Sequence, residues 1–152
     1  PIIYSPDEQF PIGGSRVLRQ GDNDKVAVVA AGVTVHEALK AADALKSEGI
    51  AIRVIDLYSV KPVDEKTLRE AARATGGRVV TVEDHWREGG LGAAVLDAFA
   101  GTDEQQPDSP MPTVVKLAVH RMPDSATPDQ ELEEAGINAA AIVAAVKRML
   151  GK

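Results

Sequence analysis

Six consecutive residues, Glu83-Asp84-His85-Trp86-Arg87-Glu88, crowd three acids, an imidazole, an indole and a guanidinium into one short stretch. Gly89, Gly90 and Gly92 follow at once, and glycines let a backbone turn sharply or let another group approach it closely. Glu83, Asp84 and His85 are the residue types of a general acid–base set. The preceding Val79, Val80 and Val82 read as a buried strand, however, and neighbours on a strand point to opposite faces. Glu83 and His85 then share a side that Asp84 does not, and no serine or cysteine nucleophile stands close by. A polar strand end that hydrogen-bonds and caps its own loop is the simpler reading.

Three histidines raise a second chemistry. His36, His85 and His120 each follow an apolar strand-like run, which places all of them toward one edge of a sheet. A metal or phosphate site built from them is conceivable, but none has a close ligand spacing such as His-x-x-x-His. A nucleotide is the third possibility. Asp56 ends the run Ile50–Leu57, where a ribose-binding acid would stand, yet the turn Ala30-Ala31-Gly32-Val33-Thr34 has one glycine where the dinucleotide fingerprint wants three. Asp56 is expected to be a solvated strand-end acid. Gly90-Leu91-Gly92-Ala93-Ala94-Val95 lacks the third glycine, although the free N–H groups of a helix start there leave an anion possible. The same edge receives Trp86, Arg87 and Arg121. Trp and Arg are enriched in binding hot spots, so a protein interface is the better functional expectation.

The elements that would position these residues follow from pattern. Continuous apolar runs at Lys25–Ala31, Ile50–Leu57, Arg78–Glu83 and Thr113–Val119 read as central strands, and Arg16–Arg19 as a short edge strand. Helices are expected between them. The first starts at a capping box of Thr34 and Glu37 and ends at Gly49. Another is capped by Asp64 and stopped by Gly76-Gly77, and a third covers Gly90–Ala100. Thr127-Pro128 opens a short helix to Ala135, and Asn138 caps a last one running to Leu150. Residues 1–14 read as an arriving linker anchored by Ile2, Ile3, Tyr4, Phe10 and Ile12, and 15–152 as one domain. Strands alternating with helices imply a mostly parallel sheet covered on both faces.

Composition narrows the function classes. With 152 residues, 44% of them apolar, the chain can bury a sizeable core. A net charge of −6 with no basic stripe argues against a nucleic-acid partner. There is no cysteine, which removes thiolate catalysis and cysteine-ligated metals and fits a cytoplasmic location. No apolar run approaches the ~20 residues of a membrane span, and no stretch reads as a signal peptide. The chain starts at Pro1 without an initiator methionine, which suggests a processed protein or a piece of a longer one.

The stretches AAGVTVHEALKAADAL, IRVIDLYSVKPVD, ARATGGRVVTVEDHWREGGLGAAV and LAVHRMP, with the approach IIYSPDEQFPIGGSRVL, resemble the C-terminal domain of transketolases of the shorter, animal-type kind. The AAGVT turn is shared with the wider group, including pyruvate dehydrogenase beta subunits and deoxyxylulose-phosphate synthases, whose C-terminal domains are the alternative within the same resemblance. The resemblance implies an α/β fold of three α/β/α layers around a five-stranded mixed sheet, four strands parallel and the first antiparallel. It implies a parent enzyme that uses thiamine diphosphate and a divalent metal, magnesium or calcium, for ketol transfer between sugar phosphates in the pentose phosphate pathway, as a homodimer. The cofactor-binding motifs belong to other domains, whether on the same chain or on a split subunit. The domain itself is then expected to hold no catalytic, cofactor or metal residue and to serve packing, dimer support and possible regulation. Under this reading Glu83, Asp84, His85, Trp86, Gly89, Gly90, Gly92 and Arg121 form the docking edge for the thiamine-diphosphate-binding domains. The rival is an autonomous phosphate- or nucleotide-binding module.

Overall fold

The computed structural model describes residues 2–108 and 110–152. Its elements are β1 (Arg16–Arg19), β2 (Ala27–Ala30), α1 (Val33–Ser47), β3 (Arg53–Asp56), α2 (Glu65–Ala74), β4 (Arg78–Trp86), α3 (Leu91–Phe99), β5 (Thr113–Val119), α4 (Pro128–Ala135) and α5 (Ala139–Met149). The five strands form one sheet in the order β1-β3-β2-β4-β5. β2 to β5 run parallel, and β1 pairs antiparallel with β3. This is the mixed α/β/α architecture that the resemblance implies, with the mostly parallel sheet that the alternation of strands and helices implies.

All four residues of β2 are buried, because helices cover both faces of the strand. Val28 and Ala30 face one cluster with Val35, Ala38, Leu45, Ile142 and Val146, which places α1 and α5 on that side. Ala27 and Val29 face the other, with Leu68, Val95 and Phe99 of α2 and α3. The two-residue period of the strand thus feeds two separate cores. Arg16 and Arg19 charge the outer strand, which discourages further strand pairing there.

From β2 the chain steps outward to β3 through α1, then crosses back through α2 to β4 on the other side of β2. The loops after β2 and β4 therefore diverge, and a crevice opens at the carboxyl ends of those two strands.

Local sequence accounts for several starts and stops. Asp64 accepts from Thr67 N–H at 3.1 Å and caps α2, and its other oxygen accepts from Ser15 Oγ at 2.8 Å. Burial pushes the Asp64 carboxyl up, but those donors outweigh burial and hold it below the usual carboxylate range. Thr127 and Gln130 form a capping box on α4, and Asn138 accepts from Ala141 N–H on α5.

Three expectations change. The Thr34–Glu37 capping box is absent, because Gly32 at φ 61° turns the chain straight into α1. Thr34 Oγ instead lies 2.8 Å from Ala31 O and 2.9 Å from Val82 O, tying the helix start to β4. Glu37 caps a different helix, accepting from Ala139 N–H at the start of α5 at 2.8 Å. The expected strand Arg78–Glu83 runs on to Trp86, since β5 continues beside it and Trp86 pairs with Val119 beyond an irregularity after Glu83. Ile2 and Ile12 do not anchor the first segment. They point to solvent, while Ile3 packs on the core and Tyr4 stacks edge-on against Phe10, which stacks edge-on against Tyr58.

Candidate functional site

Glu83 is 3% exposed and lies under the start of α3. Its Oε1 accepts from Gly92 N–H at 3.0 Å, so this carboxylate caps the helix from the neighbouring strand. A Cβ on Gly90 would fall well inside contact distance of Glu83 Oε2 and 2.6 Å from His85 Nδ1. One on Gly92 would meet Lys116 Cε, Glu83 Oε1 and Thr81 Oγ at 2.7–2.9 Å. Both glycines are therefore needed for close approach of helix to strand. Gly89 differs, with nothing within 4 Å of a built Cβ but a φ of 76°.

The alternation expected from the sequence holds. Glu83 and His85 share a side, with Glu83 Oε2 and His85 Nδ1 4.0 Å apart. His85 Nδ1 lies 2.7 Å from Trp86 O, and the ring is mostly exposed. Asp84 is also exposed and reaches both hollows of this edge. The Lys116 ammonium donates to Arg87 O and so pins the loop to β5.

Two hollows lie along this edge. One, of about 510 Å³, occupies the crevice between the β2–α1 turn and the loop after β4, with Gly32, Val33, Val60, Glu83, His85 and Gly90 in its wall. The other, of about 310 Å³, lies between α4 and the ends of β4 and β5, where Asp84 and Arg121 meet Leu132 and Ala135. Val33 and Asp84 belong to both. The structure thus gathers Glu83, His85, Gly89 and Gly90 at one hollow and Arg121 at the next, with Asp84 between. Trp86 stands beside them, 47% exposed.

No serine, cysteine or lysine among the described residues lines either hollow, so those residues offer no nucleophile to the exposed His85. Among the described residues no three His, Asp or Glu side chains are grouped as metal ligands. The anion expected at the start of α3 meets an obstacle, because the Glu83 carboxylate already takes the Gly92 N–H and places its own negative charge there. The same carboxylate, with Asp84 beside it, does not suit the diphosphate of thiamine diphosphate, and no step of catalysis is assigned to this chain.

Asp56 is not the solvated acid expected from its place at a strand end. It is 7% exposed, and its Oδ2 accepts from the Tyr4 hydroxyl at 2.6 Å. Tyr4 therefore holds the carboxylate that a ribose would need, a contact 52 residues apart with no sequence signal. Burial pushes the Asp56 carboxyl up, the Tyr4 bond and nearby His36 offset only part of this, and the Tyr4 phenol is itself raised. A folded-state pKa above the unfolded value gives stability below the unfolded pKa that is lost as pH rises through the folded one. Asp56→Asn should match the wild type near pH ~4 and gain on it toward neutrality, measured by urea unfolding across that range. A variant that instead loses ground at neutral pH would show the ionised carboxylate to be net favourable.

The fold has known counterparts. The family described as Transketolase, C-terminal domain, matches residues 13–142. Transketolase-like protein 1 of Bos taurus is 49% identical over 151 residues, which cover 99% of this chain and 24% of that protein. Transketolase of Homo sapiens is 46% identical over 151 residues, 99% of this chain and 23% of that protein. The chain spans about a quarter of the length of the curated relatives it matches. Among solved structures, a split-gene transketolase described as an inactive beta4 tetramer superposes with a TM-score of 0.84 at 41% identity, covering 99% of this chain and 46% of that one. A transketolase from Campylobacter jejuni, at 17% identity and TM-score 0.60, covers 98% of this chain and 20% of that one and shares the fold. With a family match over most of its length and the same mixed sheet in the split-gene structure, the chain belongs to the transketolase C-terminal-domain family.

Proposed function

We propose that this chain is the C-terminal domain of a transketolase and that it works by docking rather than by chemistry. Residues 1–14 are the segment arriving from a preceding domain, and 15–152 are the domain proper. The observation that carries this is the edge itself. Val33 and Val60, 42% and 39% exposed, share a hollow with the Glu83 carboxylate already committed to capping α3, and Trp86, 47% exposed, follows His85 at the end of β4. Half-exposed apolar groups with a polar rim suit an interface. Asp84, His85, Trp86 and Arg121 are its contact residues. Glu83, Gly89, Gly90 and Gly92 give it shape.

The partner in this reading is the thiamine-diphosphate-binding portion of the enzyme, on the same polypeptide or on a split subunit, within a homodimer. That portion holds thiamine diphosphate and the divalent metal, and the whole enzyme moves a ketol unit between sugar phosphates in the cytoplasm. The split-gene relative, of which this chain spans 46%, is described as an inactive beta4 tetramer, which fits an enzyme whose parts must come together to act. No described helix is long and apolar enough to cross a membrane.

The test mixes the chain with separately produced thiamine-diphosphate-binding domains and follows ketol transfer. The chain alone should show none, transfer should require both parts, and thiamine diphosphate alone should leave the chain's melting temperature unchanged. Transfer by the chain alone, or a thermal shift with thiamine diphosphate, a sugar phosphate or a nucleotide, would overturn the reading.

A further inference from the structure

The hollow against α4 has a chemical character of its own. No residue of α4 is fully buried, and Leu132 and Ala135 pack against the core yet keep part of their surface open. With Val33 and Val119 they give the hollow of about 310 Å³ an apolar floor. Its rim is acidic: Asp84, Glu131 and Glu134 stand around it against the single cation Arg121. Arg121 is committed to Glu134 at 3.6 Å. Among the described residues neither Asp84 nor Glu131 has an ion-pair partner. The chain as a whole carries −6.

We propose that this hollow seats a protein segment presenting a bulky aliphatic or aromatic side chain flanked by Lys or Arg. The apolar group covers Leu132, Ala135 and Val33, and the flanking cations meet Asp84 and Glu131. Charge fixes the choice of occupant. Unpaired carboxylates at the rim repel phosphorylated metabolites and attract a basic segment, so the partner is a cationic peptide surface. This rests on the docking reading and extends the interface from the Trp86 edge onto α4. It assigns Glu131 and Leu132 a role that neither the Glu83–Gly92 block nor Arg121 covers.

The probe is a blocked peptide alternating lysine and leucine, titrated into the full chain while amide shifts are followed by NMR. A peptide with glutamate in place of lysine serves as the control. The basic peptide should bind with shifts centred on Val33, Asp84, Leu132 and Ala135, and the acidic one should not. Glu131→Lys lies on an exposed helix face and leaves the fold intact. It should weaken binding about fivefold, and Asp84→Lys combined with it about tenfold or more. Equal binding of the two peptides, shifts centred elsewhere, or indifference to both reversals would overturn the proposal. If Trp86→Ala weakens assembly with the cofactor-binding domains while the charge reversals do not, this inference fails and the docking reading stands. If neither affects assembly, both fail.

Discussion

Gly90→Val will lower the melting temperature of the chain by about 4–12 °C, a loss of about 2–3 kcal/mol. The reason is local crowding rather than backbone strain, since Gly90 has an ordinary extended φ of −97°. A side chain there must displace the Glu83 carboxylate and the His85 ring. Glu83 has nowhere to go. It is 3% exposed, its Oε1 is bound to Gly92 N–H, and its Oε2 is sealed in without a partner. Pushing it aside uncaps α3 and strands a buried carboxylate, which adds to the overpacking.

Gly89→Ala is the informative contrast. It meets nothing within 4 Å but must hold φ at 76°, so it should cost only about 1–2 kcal/mol. Glu83→Ala in the Gly90→Val background should recover part of the loss, because it removes the atoms in collision. The double-mutant cycle measures that coupling directly. A melting temperature for Gly90→Val within a degree or two of the wild type would mean that the loop yields and that the close packing of Gly90 on Glu83 is incidental.

Trp86→Ala will weaken assembly with the thiamine-diphosphate-binding domains about 30-fold while leaving the fold in place. Trp86 ends β4 with 47% of its surface exposed, and among the described residues no aromatic ring stacks on it. Truncation therefore removes little that the isolated domain depends on. It removes the largest half-exposed side chain at the edge, and desolvated tryptophans carry much of the energy of protein interfaces. It is also the only tryptophan in the chain. Labelling it with fluorotryptophan gives a single fluorine resonance that should shift on docking. Sedimentation of the mixture then reads the affinity. An unchanged resonance on mixing, with assembly intact in Trp86→Ala, would move the interface to another face of the domain.

Much of this was legible in the residues. The four central strands are apolar at most of their buried positions, with Asp56, Thr81 and Glu83 the polar exceptions, so length and β-branching still mark them. Asp64, Thr127 and Asn138 cap helices through bonds to N–H groups two or three residues on, which makes them readable from spacing alone. Thr34 and Glu37 had the same spacing and did something else. A glycine with φ 61° began the helix without them, and each side chain then found a partner on a distant element, Val82 or Ala139. Local spacing predicts local bonds and carries no record of a competing long-range partner.

The sequence by itself determined the layers, the parity of each strand and the side of β4 that Glu83 and His85 share. These depend on periods of two and 3.6 residues, which chain geometry imposes everywhere. Only the tertiary structure decided what those side chains meet. Tyr4 reached Asp56 across 52 residues and took up the carboxylate that a ribose would need. The start of α3 came down on Glu83 and turned a candidate acid into a helix cap. Arg121 met α4 instead of the glycine loop, and Asp84 came to line both hollows. Each outcome depends on which elements the sheet order sets side by side, and a carboxylate's role follows from the donor that happens to arrive there.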